Sequence, residues 1–366
     1  MEEMPAVTAG PDSSVARAVL AARKQAVEDY LRHYFALKLA DAALVAPESY
    51  RLLDALRLFT LAGGKRIRAA LVATGYRCFA AEPDDDRLVT AGASVELLHA
   101  FLLAHDDVFD RDATRHGQPT LHRFLHDDVA DRYPAADATR YGTSLAILAG
   151  DVAAMLAYDV LARTPVAPDR LLRATLVLSR VALETGYGEA LDVLAELDAQ
   201  VDAARVLLIH RYKTAKYTIE GPLHIGAILA GAGPEELDTL SQFAVPLGIA
   251  YQLQDDILGV FGSERVTGKP VGADLREGKR TLLSVHGLRG PHAAALAAVI
   301  GDPGLDDAAV HQAQHLLREG GSLAFSEERS AELVGQAAEA LARLRIPEET
   351  RAFLSGLMHL LTQRSE

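Results

Sequence analysis

Two stretches of this chain have residue types and spacing suited to metal chemistry. An apolar run from Glu96 ends in Asp106-Asp107-Val108-Phe109-Asp110, and Tyr251-Gln252-Leu253-Gln254-Asp255-Asp256 repeats the arrangement further on. On a helix Asp106 and Asp110 stand one turn apart on one face, with Leu102 and His99 continuing the stripe and Asp107 about a quarter turn away. Like charges at i and i+4 destabilise a helix by a few tenths of a kcal/mol, so a compensating cation is expected. A hard divalent ion suits such carboxylates. One acidic pair is commonly a solvated helix end. Two pairs, each closing an apolar helix and each followed by a basic, glycine-containing loop, are poorly explained as surface decoration.

Cations accompany them. Gly63-Gly64-Lys65-Arg66-Ile67-Arg68 interrupts a helix that starts near Ser49 and continues from Ala69 to Phe79. It is either a kink with solvated charges or an anion cradle in which lysine is a point charge and Arg68 a bidentate fork. Arg211 to Tyr217 places Lys213 and Thr214 inside an otherwise apolar helix, where the lysine is either solvated or part of a site. From Gly259 to Thr281 five glycines and Pro270 predict a long loop carrying Lys269, Asp274 and Lys279. Loops of that length inside a domain tend to be binding segments. The Walker spacing is absent, and no strand precedes the loop.

The elements that must hold these residues are helices. Apolar residues recur at three- and four-residue spacing from Val15 to Leu39 and again from Thr143 to Leu161, Leu171 to Leu197, Val201 to Leu229 and beyond Pro291, with a break at Gly320-Gly321. Strand alternation is almost absent, which predicts an all-α, single-domain helical bundle with a central hydrophobic cavity over 15–366. Residues 1–14 read as a disordered leader without the character of a secretory signal. Thr143–Leu161 is too apolar for a surface position, and Asp151 within it is expected to bond a neighbouring helix or a cation. Asp84, Asp85 and Asp86 read as an acidic helix start favoured by the helix dipole, and Asp127, Asp128 and Asp131 as surface.

Of the 366 residues 49% are apolar, enough for a sizeable core, and the formal charge of −13 argues against nucleic acid. The single cysteine, Cys78, excludes an intramolecular disulfide and cysteine metal sites. No stretch of about 18 uninterrupted apolar residues is present, so no membrane span is expected. The expected location is the cytoplasm.

Acidic helix ends facing one another, ringed by cations above apolar faces, have a physical logic. A diphosphate carries roughly three negative charges, and magnesium typically joins a few carboxylates to substrate phosphates. The helix faces below would then hold a hydrocarbon.

On these motifs the chain resembles the trans-isoprenyl diphosphate synthases of the polyprenyl synthetase family, close to bacterial geranylgeranyl diphosphate synthases. The resemblance covers about residue 25 to the C-terminus. It rests on Gly-Gly-Lys-Arg-x-Arg at 63–68, Glu-Leu-x-His at 96–99, Asp-Asp-x-x-Asp at 106–110, Arg-x-Gly-x-Pro-Thr at 115–120, Lys-Thr at 213–214, Gln-x-Gln-Asp-Asp at 252–256, and Gly-Lys-Pro through Gly-Lys-Arg-Thr at 268–281.

The resemblance implies that Gly64, Lys65, Arg68 and His99 hold isopentenyl diphosphate, with His116 nearby. Asp106, Asp107, Asp110, Asp255, Asp256 and Asp274 would supply the ligands of Mg2+ ions, three with substrate bound and replaceable by Mn2+. Arg115, Lys213, Lys269 and Lys279 would complete the allylic diphosphate site. Thr214 and Gln252 would place oxygens beside an allylic cation, a preorganised electrostatic role. Phe101 and Leu102 would set product length, with geranylgeranyl diphosphate expected as main product and farnesyl diphosphate as runner-up. A homodimer is also implied.

Two positions depart from the family pattern. His116 stands where a second arginine is usual and, mostly neutral at pH 7, lacks the bidentate fork. Gly259 ends the second motif in place of a third aspartate. The competing readings are a class I terpene cyclase, which lacks Gly-Gly-Lys-Arg and typically carries an Asn/Ser/Glu triad, and a non-catalytic partner subunit, which would have lost the aspartates.

Overall fold

The computed structural model describes residues 13–80, 85–115, 117–198, 200–263 and 271–362. In chain order the helices are Ser14–Val45 (α1), Pro47–Leu61 (α2), Ile67–Arg77 (α3), Asp85–Phe109 (α4), Leu121–Arg132 (α5), Ala138–Leu161 (α6), Pro168–Leu197 (α7) and Ala203–Ile209 (α8). A π-helical segment, His210–Glu220, joins α8 to Gly221–Ala230 (α9). Pro234–Phe261 (α10), Ala273–Glu277 (α11), Leu282–Gly287 (α12), Ala293–Ala297 (α13), Asp307–Glu319 (α14), Ser322–Arg343 (α15) and Glu348–Thr362 (α16) follow. The all-helical expectation holds, and α14 and α15 part at Gly320-Gly321 as read from the sequence. Most of the leader expected at 1–14 lies outside the described residues, and α1 already begins at Ser14.

The central element is α4. Leu88, Ala91, Leu97, Leu98 and Ala104 are all buried against its neighbours α1, α3 and α6, which is why the helix is apolar nearly all round. Its buried carboxylate Glu96 is held by the Ala69 amide at 3.1 Å and the Arg66 guanidinium at 3.4 Å.

Four features depart from the sequence reading. Two short strands stand where only helices were expected, Thr114–Arg115 (β1) pairing antiparallel with Gln118–Pro119 (β2). The long loop expected from Gly259 is shorter, because α10 runs on to Phe261 and α11 fills 273–277. The stretch from Val201 to Leu229 is helical as expected, but its middle third is π-helical, with i→i+5 bonding that widens each turn.

The fourth concerns α6, which is not wholly interior. Its buried face is made of Gly142, Ala146, Ala149, Gly150, Ala153 and Ala157, small enough for close approach to α4 and α5, whereas Leu148 and Met155 are 52% and 63% exposed. Burial over most of the helix follows close packing of small residues and leaves Leu148 and Met155 outside, whereas Val160 and Leu161 are buried at its end. Asp151 is likewise exposed, 3.7 Å from His105 Nε2. Two helices, at 87–109 and 138–161, are long and apolar enough to cross a membrane by length and composition, but the first is the core of the bundle.

Candidate active site

A single cavity of about 1750 Å3 receives residues from α2, α3, α4, α7, the π segment and α10. Asp106 and Asp110 reach it from the end of α4, and Asp255 and Asp256 from α10, so the two acidic helix ends face one space. Asp274 joins them from α11. A Cβ built on Gly259 would lie 2.0 Å from Asp274 Oδ2. The glycine that ends the second motif therefore makes room for another carboxylate.

Cations are interleaved with these acids. Lys213 Nζ lies 3.1 Å from Asp106 Oδ1, 3.0 Å from Glu189 and 2.7 Å from Asp192 Oδ2. Lys279 Nζ donates to Asp110 Oδ2 at 2.8 Å. Burial opposes the charge on both lysines, but the surrounding carboxylates hold them well above the ordinary lysine range. Burial similarly opposes ionisation of Asp106, and Lys213, Arg115 and Lys279 nevertheless keep its carboxyl below the usual value.

Asp107 behaves differently from its neighbour. It is fully buried, does not line the cavity, and accepts a bond from Arg115 Nε at 2.6 Å. Burial pushes its carboxyl up to about 6 although Arg115 pulls against the shift. The quarter turn that separates it from Asp106 aims it behind the site, where it fixes the guanidinium that also touches Asp106 at 3.1 Å. Asp107, expected from the resemblance as a metal ligand, thus faces Arg115 and not the cavity in this structure.

Opposite the aspartates, α3 and the π segment build a second cationic pole. Arg68 donates to the Tyr217 hydroxyl at 2.7 Å and to Thr218 Oγ1 at 2.8 Å, and stacks 4.4 Å over the Tyr217 ring. His99 approaches the same ring, and Gly64 and Lys65 line the cavity beside it. Gly63, Gly64 and Arg66 all have positive φ, which explains the paired glycines. Arg66, an L residue in a left-handed conformation, is held there by Glu28, Glu96 and the Thr60 carbonyl. It is a buried strut.

Between the poles, Thr214 Oγ1 donates to Gln252 Oε1 at 2.8 Å, and Gln252 Nε2 donates to Asp256 Oδ1 at 2.9 Å. This leaves the Thr214 and Gln252 oxygens in the middle of the cavity wall. Phe101 and Leu102 line the cavity below Asp106, Phe101 packing edge-on against His105 at 4.9 Å. His116 and Lys269 lie outside the described residues.

Sequence reasoning missed Glu189, Asp192, Tyr217 and Thr218. Glu189 and Asp192, at i and i+3 of an apolar helix, carry a signal too common to single out. Tyr217 and Thr218 follow Lys213 and Thr214 at a spacing of four, which the wider π turns keep on one face.

The donor set fits a hard divalent cation. Asp106, Asp110 and Glu189 each offer an oxygen within 4.8 Å of the others. Four carboxylates, with Asp192, meet Lys213, Lys279 and an Arg115 that is already shared with Asp107 and Asp112 at this end of the cavity. A surplus of negative charge out of bulk water needs a cation.

The polyprenyl synthetase family model matches residues 50–317. The chain belongs to that family. It is 34% identical to the geranylfarnesyl diphosphate synthase of Aeropyrum pernix over 83% of this chain and 91% of that one. It is 31% identical to the (2E,6E)-farnesyl diphosphate synthase of Mycobacterium bovis over 82% of this chain and 80% of that one. The crystal structure of geranylgeranyl pyrophosphate synthase from Corynebacterium glutamicum, complexed with isoprenyl diphosphate and magnesium, superposes with a TM-score of 0.89 at 33% identity, covering 94% of this chain and 99% of that one. This polyprenyl synthetase is thus a prenyltransferase, a short-chain isoprenyl diphosphate synthase.

Proposed function

We propose that this synthetase is a Mg2+-dependent enzyme that joins isopentenyl diphosphate to an allylic diphosphate and makes geranylgeranyl diphosphate as its main product. The observation that carries the reading is one cavity with two opposed polar poles, aspartates and lysines at one and Arg68, Lys65 and His99 at the other, over an apolar shaft. Asp106, Asp110, Asp255 and Asp274 would hold the metal. Bound Mg2+ would supply the positive charge that stabilises a departing diphosphate.

Arg115, Lys213 and Lys279 bind and orient the allylic diphosphate. Its C–O bond breaks, and the allylic cation forms beside the oxygens of Thr214 and Gln252. The isopentenyl diphosphate held by Arg68 and Lys65 turns its double bond toward that cation. A C–C bond forms, and the proton lost from the isopentenyl unit passes to the released diphosphate. The test is product chromatography after incubation with both diphosphates and Mg2+. A longer linear diphosphate supports the reading, whereas a cyclic hydrocarbon or no product excludes it.

Product length is the finer step, since the relatives above carry names for three lengths. Phe101 lies about 7.5 Å and Leu102 about 6 Å along α4 from Asp106, and both face the cavity. Phe101→Ala is expected to deepen the shaft and lengthen products, and Leu102→Phe to shorten them. An unchanged distribution in both variants would assign the floor to other residues, such as Phe59 of α2.

A homodimer belongs to the same proposal. On α7 the exposed residues Leu172, Leu176, Leu183, Tyr187 and Leu194 recur at four- and seven-residue steps, and on α6 Tyr141, Leu148 and Met155 are spaced by seven. Exposed apolar stripes on two long helices suit burial against another copy, and a twofold pair buries the same stripe on both copies. Light scattering at micromolar concentration is expected to give a mass of twice 39.2 kDa; a monomer mass would overturn it. We propose a cytoplasmic location, in keeping with the single cysteine.

A further inference from the structure

The metal reading so far draws its carboxylates from the two aspartate motifs. The acid that actually stands across from Asp106 and Asp110 comes from neither. It is Glu189 of α7, whose oxygen lies within 4.8 Å of theirs. Gly188 explains how it gets there. A Cβ at 188 would lie 2.2 Å from the Lys213 backbone nitrogen, so the glycine lets α7 and the π segment touch and brings the next residue into the site.

A cation already occupies the space between these acids. The Lys213 ammonium bridges Asp106 at 3.1 Å and Glu189 at 3.0 Å. Two oxygens on one octahedral Mg2+, at 2.0–2.1 Å each, are at most about 4.2 Å apart. Adjacent ligands on such an ion stand about 2.9 Å apart, so side-chain rotations of up to about 2 Å bring the three carboxylates, which lie within 4.8 Å of one another, onto one ion. Asp107, turned back to Arg115, cannot take this place.

Building on the Mg2+-dependent function proposed above, we infer that Glu189 is a metal ligand, the third carboxylate of the clamp that Asp106 and Asp110 begin. With the metal bound, Lys213 turns from Glu189 to the allylic diphosphate and keeps Asp192 as its anchor. Glu189 therefore couples two functions, metal retention and release of the lysine that grips the substrate.

The full-length protein tests this with Mn2+ as spin probe, titrated by electron paramagnetic resonance in the presence of inorganic diphosphate. Glu189→Gln keeps the shape and a hydrogen-bond acceptor for Lys213 but removes the charge. It is expected to weaken Mn2+ binding by about tenfold or more, and by clearly more than Asp192→Asn, which also strips Lys213 of a partner. Circular dichroism melts confirm that both variants fold. Wild-type affinity in Glu189→Gln, or equal weakening in both variants, would overturn the inference, the second because the effect would then run through Lys213. Failure of the wild-type protein to bind Mn2+ would overturn the metal reading as well, and product formation by that same protein separates the two failures.

Discussion

Asp106→Ala is expected to lower turnover by about three orders of magnitude or more, equivalent to about 4 kcal/mol of transition-state stabilisation. Asp106 is in contact with both Lys213 and Arg115, and it shares a helix face with Asp110. Its loss leaves the metal short of a ligand and leaves the Arg115 guanidinium and the Lys213 ammonium with one carboxylate fewer between them. Asp255→Ala should act alike from the other side of the cavity. Neither change removes apolar packing, so the melting temperature should stay close to that of the wild type. Steady-state product assays across a range of Mg2+ make the measurement. Near wild-type turnover at modest Mg2+ in either variant would show that the metal clamp is wrongly assigned.

The second large effect is on stability. Gly226→Val is expected to destabilise the protein by about 3 kcal/mol or more, at the upper end of overpacking costs. A Cβ at 226 would lie 1.9 Å from the Val72 carbonyl oxygen, and one at Gly75 would lie 2.1 Å from the Leu223 carbonyl oxygen. The two glycines mark a crossing where α3 and α9 meet backbone to backbone, and backbone cannot move aside as a flexible side chain can. The crossing also has a functional side. α3 carries Arg68, and α9 continues the π segment that carries its partners Tyr217 and Thr218. A drop of several degrees in thermal midpoint, together with a raised KM for isopentenyl diphosphate, is the expected pair of results. A midpoint within a degree of wild type would mean that the crossing relaxes more easily than its distances indicate.

The sequence by itself determined what is local in the helix. Asp106 and Asp110 share a face because an α-helix returns every 3.6 residues, and the two motifs, the paired glycines before Lys65 and the break at Gly320-Gly321 follow from spacing and backbone preference alone. The same periodicity identified an all-helical chain, and the resemblance carried by its motifs supplied the candidate residues. Even the doubt over Gly259 was visible as a departure from pattern.

Only the tertiary structure decided which groups meet. Asp107 and Asp106 are neighbours in sequence with the same side chain, yet one is sealed behind Arg115 and the other faces the cavity, because the packing of α4 sets the phase of its last turn. Glu189 lies 79 positions after Asp110 and enters the site through the close approach at Gly188; no local signal reports a distance between two helices. The same reason accounts for α6, where composition indicates burial but the Ala and Gly stripe takes the core and leaves Leu148 and Met155 outside. Local spacing says which residues share a face, and the helix-to-helix contacts determine what that face meets.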